Sequence, residues 1–227
     1  MNKQSHILVT GATGFVGRAL CVALVAKGHR VTAMVRRANA WLPDGVVRWV
    51  APELPDLAPD VAQRLAGIDM VIHAAGRAHM LEDIDRDPSA AFRRVNTEGT
   101  LSLALAAASA GVRRFIFVSS IGVSGSQSHN HAFRAEDPPQ PDSPYAQSKW
   151  EAEQALVQLQ SATGMTVLLV PSVTCCNVAA SWFSNGTEPG PVKNRTPSGG
   201  LSSGGKPAAD SSATHSSLRS SASARVS

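Results

Sequence analysis

Tyr145 and Lys149 are the two residues whose types and spacing most directly suggest proton transfer. They lie in a predicted helix at positions i and i+4, which share one helix face. A phenol with a pKa of about 10 is a poor base at neutral pH, but a neighbouring ammonium favours the phenolate and lowers that pKa. Tyr145, the only tyrosine of the chain, can then act as general base when an alcohol is oxidised and as general acid when a ketone is reduced.

Two further polar residues are candidates for a functional role. Ser120 is predicted to end a strand at the carboxyl edge of a sheet, where its hydroxyl can orient a reacting oxygen. Asn96 lies in a long predicted helix and can bond backbone or water there, with an ordinary polar helix position as the alternative. The Tyr145–Lys149 spacing alone is weak evidence for a functional pair, because many helices carry a Tyr and a Lys at this spacing by accident, with the lysine side chain in solvent. Lys149 is also expected to hydrogen-bond the ribose next to a nicotinamide.

A glycine-rich turn near the N-terminus can hold the dinucleotide that accompanies such proton transfer. The sequence Thr-Gly-Ala-Thr-Gly-Phe-Val-Gly (residues 10–17) follows an apolar strand and opens a helix. Glycines there let the backbone approach a pyrophosphate at the helix N-terminus. The spacing differs from the commoner G-x-G-x-x-G, and a tight structural turn is the alternative. The residues predicted to bind the cofactor in this segment are Gly11, Thr13, Gly14, Phe15, Val16 and Gly17.

The choice of dinucleotide is expected to be made at the end of the second strand. An acidic residue there would bind the adenosine ribose hydroxyls, whereas arginine accommodates a 2′-phosphate. The chain has Arg36 and Arg37 after Val35, so NADP(H) is favoured over NAD(H), with a solvated strand end as the alternative. Glu53 and Leu54, which follow the third predicted strand, are expected to flank the adenine.

Alternating strand and helix signals predict the scaffold that positions these residues. The strands are short, continuous, β-branched runs, of the kind that is buried on both faces of a parallel sheet. Predicted strands cover residues 7–9, 31–35, 46–50, 70–72, 115–118 and 166–170, and predicted helices cover residues 15–26, 61–65, 88–110 and 143–162. This order indicates an α/β fold with a Rossmann-type doubly wound parallel sheet, within a cofactor-binding domain at residues 5–170.

Composition narrows the class of protein. With 227 residues, 43% of them hydrophobic, the chain can form one substantial domain. Residues 1–170 hold 16 basic and 15 acidic side chains, so no nucleic-acid partner is expected. No apolar run approaches the roughly 20 residues that span a membrane, and the polar N-terminus does not resemble a signal peptide. A soluble, cytoplasmic protein with no membrane partner is therefore expected.

The histidines and cysteines are weak candidates for a metal site. His73 ends a predicted buried strand and is expected to be a core histidine with satisfied hydrogen bonds. His129 and His131 lie in a polar loop, and Cys175-Cys176 has no further ligands nearby in the sequence. Three cysteines give neither a disulfide framework nor metal-ligand spacing, so a reduced protein without a metal is predicted.

The periodic pattern ends near Val170. Residues 171–227 contain 14 Ser, 6 Gly and 5 Pro but only 8 large apolar residues, too few to compensate for the entropy lost on ordering. This segment is predicted to be a disordered, low-complexity tail, with an interaction segment as an alternative. Its composition also resembles an out-of-frame translation of a GC-rich gene, so a shift of the reading frame near residues 169–175 is a further hypothesis.

Five segments together resemble the extended short-chain dehydrogenase/reductase superfamily, in its NAD(P)-dependent sugar-nucleotide epimerase/dehydratase branch. The segments are residues 10–17, 71–76, 95–100, 117–120 and 145–149, in the family's order. The resemblance implies hydride transfer at a sugar carbon, with Ser120, Tyr145 and Lys149 as catalytic residues. The residues implied to contact the cofactor further along the chain are Ala74, Ala75, Gly76, Asn96, Tyr145 and Lys149. The resemblance also implies that the two long helices can pair two copies as a homodimer.

The resemblance narrows the expected reaction as well. Dehydratases of this branch carry Asp-Glu directly after the position of Ser120, whereas this chain has Ile121 and Gly122. An epimerase or ketoreductase acting on a nucleotide sugar, at C4 in the relatives it most resembles, is therefore expected. The family continues past the sixth strand with a substrate-binding region that nothing after Val170 matches. Loss of that region would leave the chain inactive, and a non-catalytic NADP-binding or regulatory protein is the alternative.

Overall fold

In the computed structural model the chain alternates strands and helices over its described residues, which are 4–78, 87–128, 132–134 and 137–171. The strands are β1 (His6–Thr10), β2 (Arg30–Val35), β3 (Val46–Val50), β4 (Met70–His73), β5 (Arg114–Val118) and β6 (Thr166–Val170). The α-helices are α1 (Phe15–Ala26), α2 (Val61–Leu65), α3 (Pro88–Phe92), α4 (Gly99–Ser109) and α5 (Pro144–Thr163). The predicted tail, apart from Pro171, and the predictions for His129, His131, Cys175 and Cys176 lie outside the described residues.

The six strands form one parallel sheet in the order β3-β2-β1-β4-β5-β6. β1 pairs with β2 on one side and with β4 on the other, so the direction in which strands are added reverses at β1. This order is the doubly wound Rossmann arrangement, and it confirms the predicted fold class. The reversal opens a crevice outside the carboxyl ends of β1 and β4, where such sheets bind ligands.

Helices cover both faces of the sheet, which explains why the strands are apolar at consecutive positions. Along β1, Ile7 and Val9 pack with Leu24 of α1 in one core layer, whereas Leu8 lies in a second layer. The second layer contains side chains from α2, α4 and α5, namely Leu65, Leu103, Ala104, Ala107, Ala152, Leu156 and Leu159. The two layers hold the strand ends, and the loops that follow them, in place. Of the helices in the described part of the chain, none is both long and apolar enough to cross a bilayer.

The helix predicted over residues 88–110 is present but is not a uniform α-helix. α3 continues into a π-helical stretch, Arg93–Glu98, which leads into α4. The wider turn contains Asn96, whose buried side chain bonds partners outside its own helix. Short π-helical stretches occur frequently at functional sites.

The position of Ser120 also differs from the prediction. β5 ends at Val118, and Ser120 caps a short 3₁₀ turn, Ile121–Ser124, instead of ending the strand. Its Oγ accepts a hydrogen bond from the Gly122 backbone N–H at 3.1 Å, which turns the chain just beyond the sheet. Ser120 nevertheless stays at the carboxyl edge of the sheet.

Candidate active site

A groove of about 440 Å³ opens at the carboxyl ends of β1, β2 and β4. It lies where the order of the strands reverses, as expected for a ligand site in a doubly wound sheet. Nine residues predicted to bind a cofactor line it: Gly11, Thr13, Gly14, Arg36, Glu53, Leu54, Ala74, Ala75 and Gly76. Further lining residues that the sequence analysis did not single out are Thr10, Met34, Val35, Pro52, Arg77, Ala78 and Val95. Most of these residues are sequence neighbours of a predicted residue, so extending each motif by one or two positions would have included them.

Seven other predicted cofactor residues are not part of the groove lining; Asn96, Tyr145 and Lys149 are described below, and the other four are Phe15, Val16, Gly17 and Arg37. Phe15 begins α1 and is 86% exposed, and Val16 packs against the apolar layer beneath α1. Gly17 is buried against the turn that precedes the helix, and Arg37 is exposed beyond the end of β2. Their predicted contacts with a cofactor stay predictions.

The three glycines of the strand-to-helix turn have different surroundings. A Cβ on Gly11, whose φ is +67°, would lie 2.5 Å from the Ala74 carbonyl carbon. A Cβ on Gly17 would lie 2.2 Å from the Gly11 carbonyl oxygen, so packing of the chain itself requires glycine at both positions. A Cβ on Gly14 would meet nothing within the protein closer than 3.3 Å. Gly14 is therefore less constrained by the chain than the other two glycines, and it lies on the groove lining at the N-terminus of α1, where the cradle fits the pyrophosphate of a dinucleotide.

Arg36 and Glu53 form an ion pair in the groove lining. Arg36 Nη1 lies 2.6 Å from Glu53 Oε1, and both side chains are exposed. The parallel register of β2 and β3 pairs Val35 with Val50, which brings the segments after these strands together. The guanidinium expected to bind a 2′-phosphate and the carboxylate expected beside the adenine are therefore direct partners.

His73 joins the strands beneath the groove. Its Nδ1 lies 2.6 Å from Thr10 Oγ1 and its Nε2 lies 3.0 Å from Thr100 Oγ1, so it is the satisfied core histidine that the sequence predicts. Thr10 Oγ1 also accepts a hydrogen bond from the Ala75 backbone N–H at 3.2 Å, which ties the groove lining to this cluster. Burial, together with the charge of Lys149, lowers the pKa of His73 to about 3, so its ring is neutral at pH 7.

Asn96 connects the loop after β4 with α5. Its Oδ1 accepts a hydrogen bond from the Arg77 N–H at 2.8 Å, and its Nδ2 donates to the Arg77 carbonyl at 3.0 Å. The same Nδ2 lies 2.9 Å from the Oγ of Ser148, which precedes Lys149 in α5. One side chain therefore fixes the groove loop relative to the helix that carries Tyr145 and Lys149.

Lys149 brings a buried ammonium to the edge of the groove. Its Nζ lies 4.0 Å from the centre of the Phe117 ring, an arrangement that stabilises a cation. A Cβ added to Gly76 would lie 3.9 Å from this Nζ, so the ammonium is adjacent to the groove lining.

The Ser120 side chain lies close enough to the Tyr145 phenol to affect its pKa. Burial raises the pKa of Tyr145 above its ordinary value, and hydrogen bonding from Ser120 counteracts part of this increase by stabilising the phenolate. The prediction that the Lys149 ammonium lowers this pKa is wrong here, because desolvation of the phenolate dominates. The structure thus brings Ser120 and Tyr145 together, and places Lys149 one helical turn further along α5, beside the groove.

A comparison with protein families identifies the class of this chain. The NAD dependent epimerase/dehydratase family matches residues 7–189, and the chain belongs to this family. It is 37% identical over 167 residues to UDP-glucose 4-epimerase of Vibrio cholerae, in an alignment that covers 72% of this chain and 50% of that protein. It is 32% identical over 171 residues to 2-alkyl-3-oxoalkanoate reductase of Stenotrophomonas maltophilia, covering 73% of this chain and 49% of that protein.

Solved structures show the same fold. A short-chain dehydrogenase/reductase superfamily protein from Agrobacterium tumefaciens with bound NAD is 29% identical, with a TM-score of 0.62, and the match covers 73% of this chain and 48% of that chain. UDP-glucose 4-epimerase of Thermus thermophilus in complex with NAD is 26% identical, with a TM-score of 0.63, covering 73% of this chain and 54% of that chain. The chain spans about half the length of the curated relatives it matches.

These relatives confirm the resemblance drawn from the sequence, but they do not support the predicted preference for NADP. The family is NAD dependent, and both solved relatives hold NAD. Within the described residues, no group of three or more His, Cys, Asp or Glu side chains could hold a metal ion.

Proposed function

We propose that this chain is the cofactor-binding and proton-transferring part of an NAD-dependent epimerase or ketoreductase that acts at a ring carbon of a nucleotide sugar, with C4 as the reacting position. One observation carries the proposal: α5 places the Lys149 ammonium beside Gly76 of the groove and, one turn earlier, places the Tyr145 phenol against Ser120. The Vibrio cholerae relative, a UDP-glucose 4-epimerase, supports a nucleotide sugar as the substrate class.

Tyr145 holds and moves the proton in the proposed reaction. Its raised pKa keeps the phenol protonated at neutral pH, so its Oη can give a proton to a carbonyl oxygen during reduction. In the opposite direction the phenolate must form. Hydrogen bonding from Ser120 favours this form, and the same hydroxyl can orient the reacting oxygen of the sugar.

Lys149 and the glycine turn hold the cofactor in this proposal. The Nζ of Lys149 would donate to a ribose hydroxyl at the edge of the groove, and the backbone at Gly14 would hold the pyrophosphate. A nicotinamide dinucleotide, when bound, supplies the hydride acceptor and donor. The three side chains of the site then only have to orient oxygen atoms and transfer a proton.

One alternative is a non-catalytic nucleotide-binding or regulatory protein. The match covers about half the length of the relatives, and the family resemblance implies that a sugar-binding region lies in the rest. A groove that binds the dinucleotide without a substrate pocket would give binding without turnover. The predicted cytoplasmic location and homodimer remain predictions under either function.

Incubating the purified chain with NAD⁺ and UDP-glucose distinguishes the two functions. We expect NAD binding by calorimetry, formation of UDP-galactose or NADH, and a loss of roughly 10²–10⁴-fold in turnover in Tyr145→Phe without loss of NAD binding. Binding of NAD with no product would favour the non-catalytic alternative. Failure to bind NAD would contradict both functions.

A further inference from the structure

The ion pair of Arg36 and Glu53 lies at the position that selects the dinucleotide in this fold. Arg36 directly follows β2, and both side chains line the groove at the carboxyl edge of the sheet. An arginine there accommodates the 2′-phosphate of NADP, whereas a carboxylate there accepts hydrogen bonds from the ribose hydroxyls of NAD. This chain supplies both groups, the second from the segment after β3.

The geometry of the ion pair indicates that Arg36 and Glu53 act together on a ligand in the groove. Their closest nitrogen and oxygen atoms are 2.6 Å apart, although the side chains are 71% and 59% exposed. Backbone pairing continues past the strands, because the Ala51 N–H donates to the Val35 carbonyl at 3.0 Å. The two segments are therefore held side by side, and Glu53 is available to Arg36 before any ligand arrives.

Electrostatics then disfavours a 2′-phosphate at this position. The phosphate carries close to two negative charges at neutral pH, and Glu53 would repel it while already neutralising Arg36. One pair of unit charges about 4 Å apart in water changes a binding constant roughly fivefold, and salt reduces the effect. A dianion beside Glu53 should therefore bind roughly tenfold more weakly than beside a neutral side chain.

We infer that Glu53, by neutralising Arg36 and presenting its own carboxylate, makes the groove prefer NAD over NADP. The inference depends on the proposed function, since it assumes that the groove binds a nicotinamide dinucleotide. It predicts that the two consecutive arginines do not produce the NADP preference that their position alone indicates.

The test is to titrate the full chain with NADH and with NADPH and to follow nicotinamide fluorescence. We expect the wild type to bind NADH more tightly. In Glu53→Gln, the Kd for NADPH should fall about tenfold while the Kd for NADH changes less than about threefold. Adding Arg36→Gln to this variant should remove the gain, because the freed guanidinium is then lost. The gain should also shrink at high salt.

Asp60→Asn is the matched control. Asp60 pairs with Arg64 at 3.2 Å, both side chains are about half exposed, and neither lines the dinucleotide groove. This variant makes the same change in net charge and should leave both affinities unchanged. An equal shift in Asp60→Asn, no shift in Glu53→Gln, or a wild type that prefers NADPH would overturn the inference while leaving dinucleotide binding intact. A wild type that binds neither ligand would overturn the proposed function itself.

Discussion

Tyr145 is a buried phenol whose ionisation depends on two opposing effects. Burial disfavours the phenolate, and the Ser120 hydroxyl favours it through a hydrogen bond. In the described structure the first effect is larger, so the residue starts as an acid. The same side chain can serve as a base only where additional positive charge or hydrogen bonding is brought to its oxygen.

Spectrophotometric titration of Tyr145 checks this balance directly, because it is the only tyrosine of the chain. We expect the tyrosinate absorbance to appear at a pH above that of a free phenol, since burial raises the pKa. Ser120→Ala should raise it further, because the phenolate loses a hydrogen-bond donor. Tyr145→Phe supplies the blank. A wild-type pKa below the free-phenol value would show that the Lys149 ammonium dominates after all.

At the scale of elements, the turn between β1 and α1 needs glycine for two reasons, which are packing of the chain and the proposed binding of a ligand. Gly11 and Gly17 are required for the chain to pack against itself, whereas a Cβ on Gly14 would come no closer than 3.3 Å to the surrounding protein. Substituting Gly17 should therefore mainly reduce stability, whereas substituting Gly14 should mainly weaken ligand binding.

Alanine substitutions in this turn test that separation. Gly17→Ala should lower the free energy of unfolding by about 2–3 kcal/mol, because its Cβ would meet a backbone oxygen at 2.2 Å. Gly14→Ala should cost less than about 1 kcal/mol but weaken NADH binding at least about tenfold, by filling the phosphate cradle. Urea unfolding and NADH titration of both variants give the measurements. Equal loss of stability in the two variants would contradict the assignment.

Helices and strands whose bounds depend on local sequence patterns could be predicted from the sequence, whereas those that depend on contacts between distant residues could not. α1 and β3 have the predicted bounds because apolar periodicity and a glycine stop define them locally. The π-helical stretch at Arg93–Glu98 was missed, since Asn96 bonds Arg77 and Ser148, which lie 19 and 52 residues away in the chain.

The same distinction applies to the candidate site. The motifs place most of the groove lining correctly because each motif directly follows a strand of the sheet. The partner of Arg36 lies 17 residues away, and the burial that raises the pKa of Tyr145 comes from the folded protein as a whole. The predicted pKa shift failed for this reason, and the relatives do not support the predicted preference for NADP; both properties depend on which groups meet after folding.

For the whole molecule, the sheet order and the family establish a dinucleotide-binding class but not a particular reaction. The relatives include an epimerase and a reductase, each matched over about half of its length. The described residues hold the groove and the groups that we propose transfer the proton. The choice of sugar is therefore expected to depend on residues outside the described part of the chain.

The stability of the whole molecule should depend on pH through His73. Its pKa is about 3 in the folded protein and about 6.5 in an unfolded chain, so the unfolded state binds more protons between these values. The stabilisation is complete above about pH 6.5 and is lost as the pH falls towards 3, by at most about 1.4 kcal/mol per pH unit. A pH-dependent loss of this size is large beside the typical 5–15 kcal/mol stability of a domain.

Urea unfolding of the wild type and of His73→Gln between about pH 4 and pH 7 tests this dependence. We expect the free energy of unfolding to fall with pH more steeply in the wild type, because the variant lacks the group that must remain neutral when buried. His29→Gln is the control, since the pKa of His29 is lowered but its side chain is only partly buried. It should keep most of the wild-type slope. Parallel curves for the wild type and His73→Gln would show that other groups govern acid unfolding, and would remove His73 from that role.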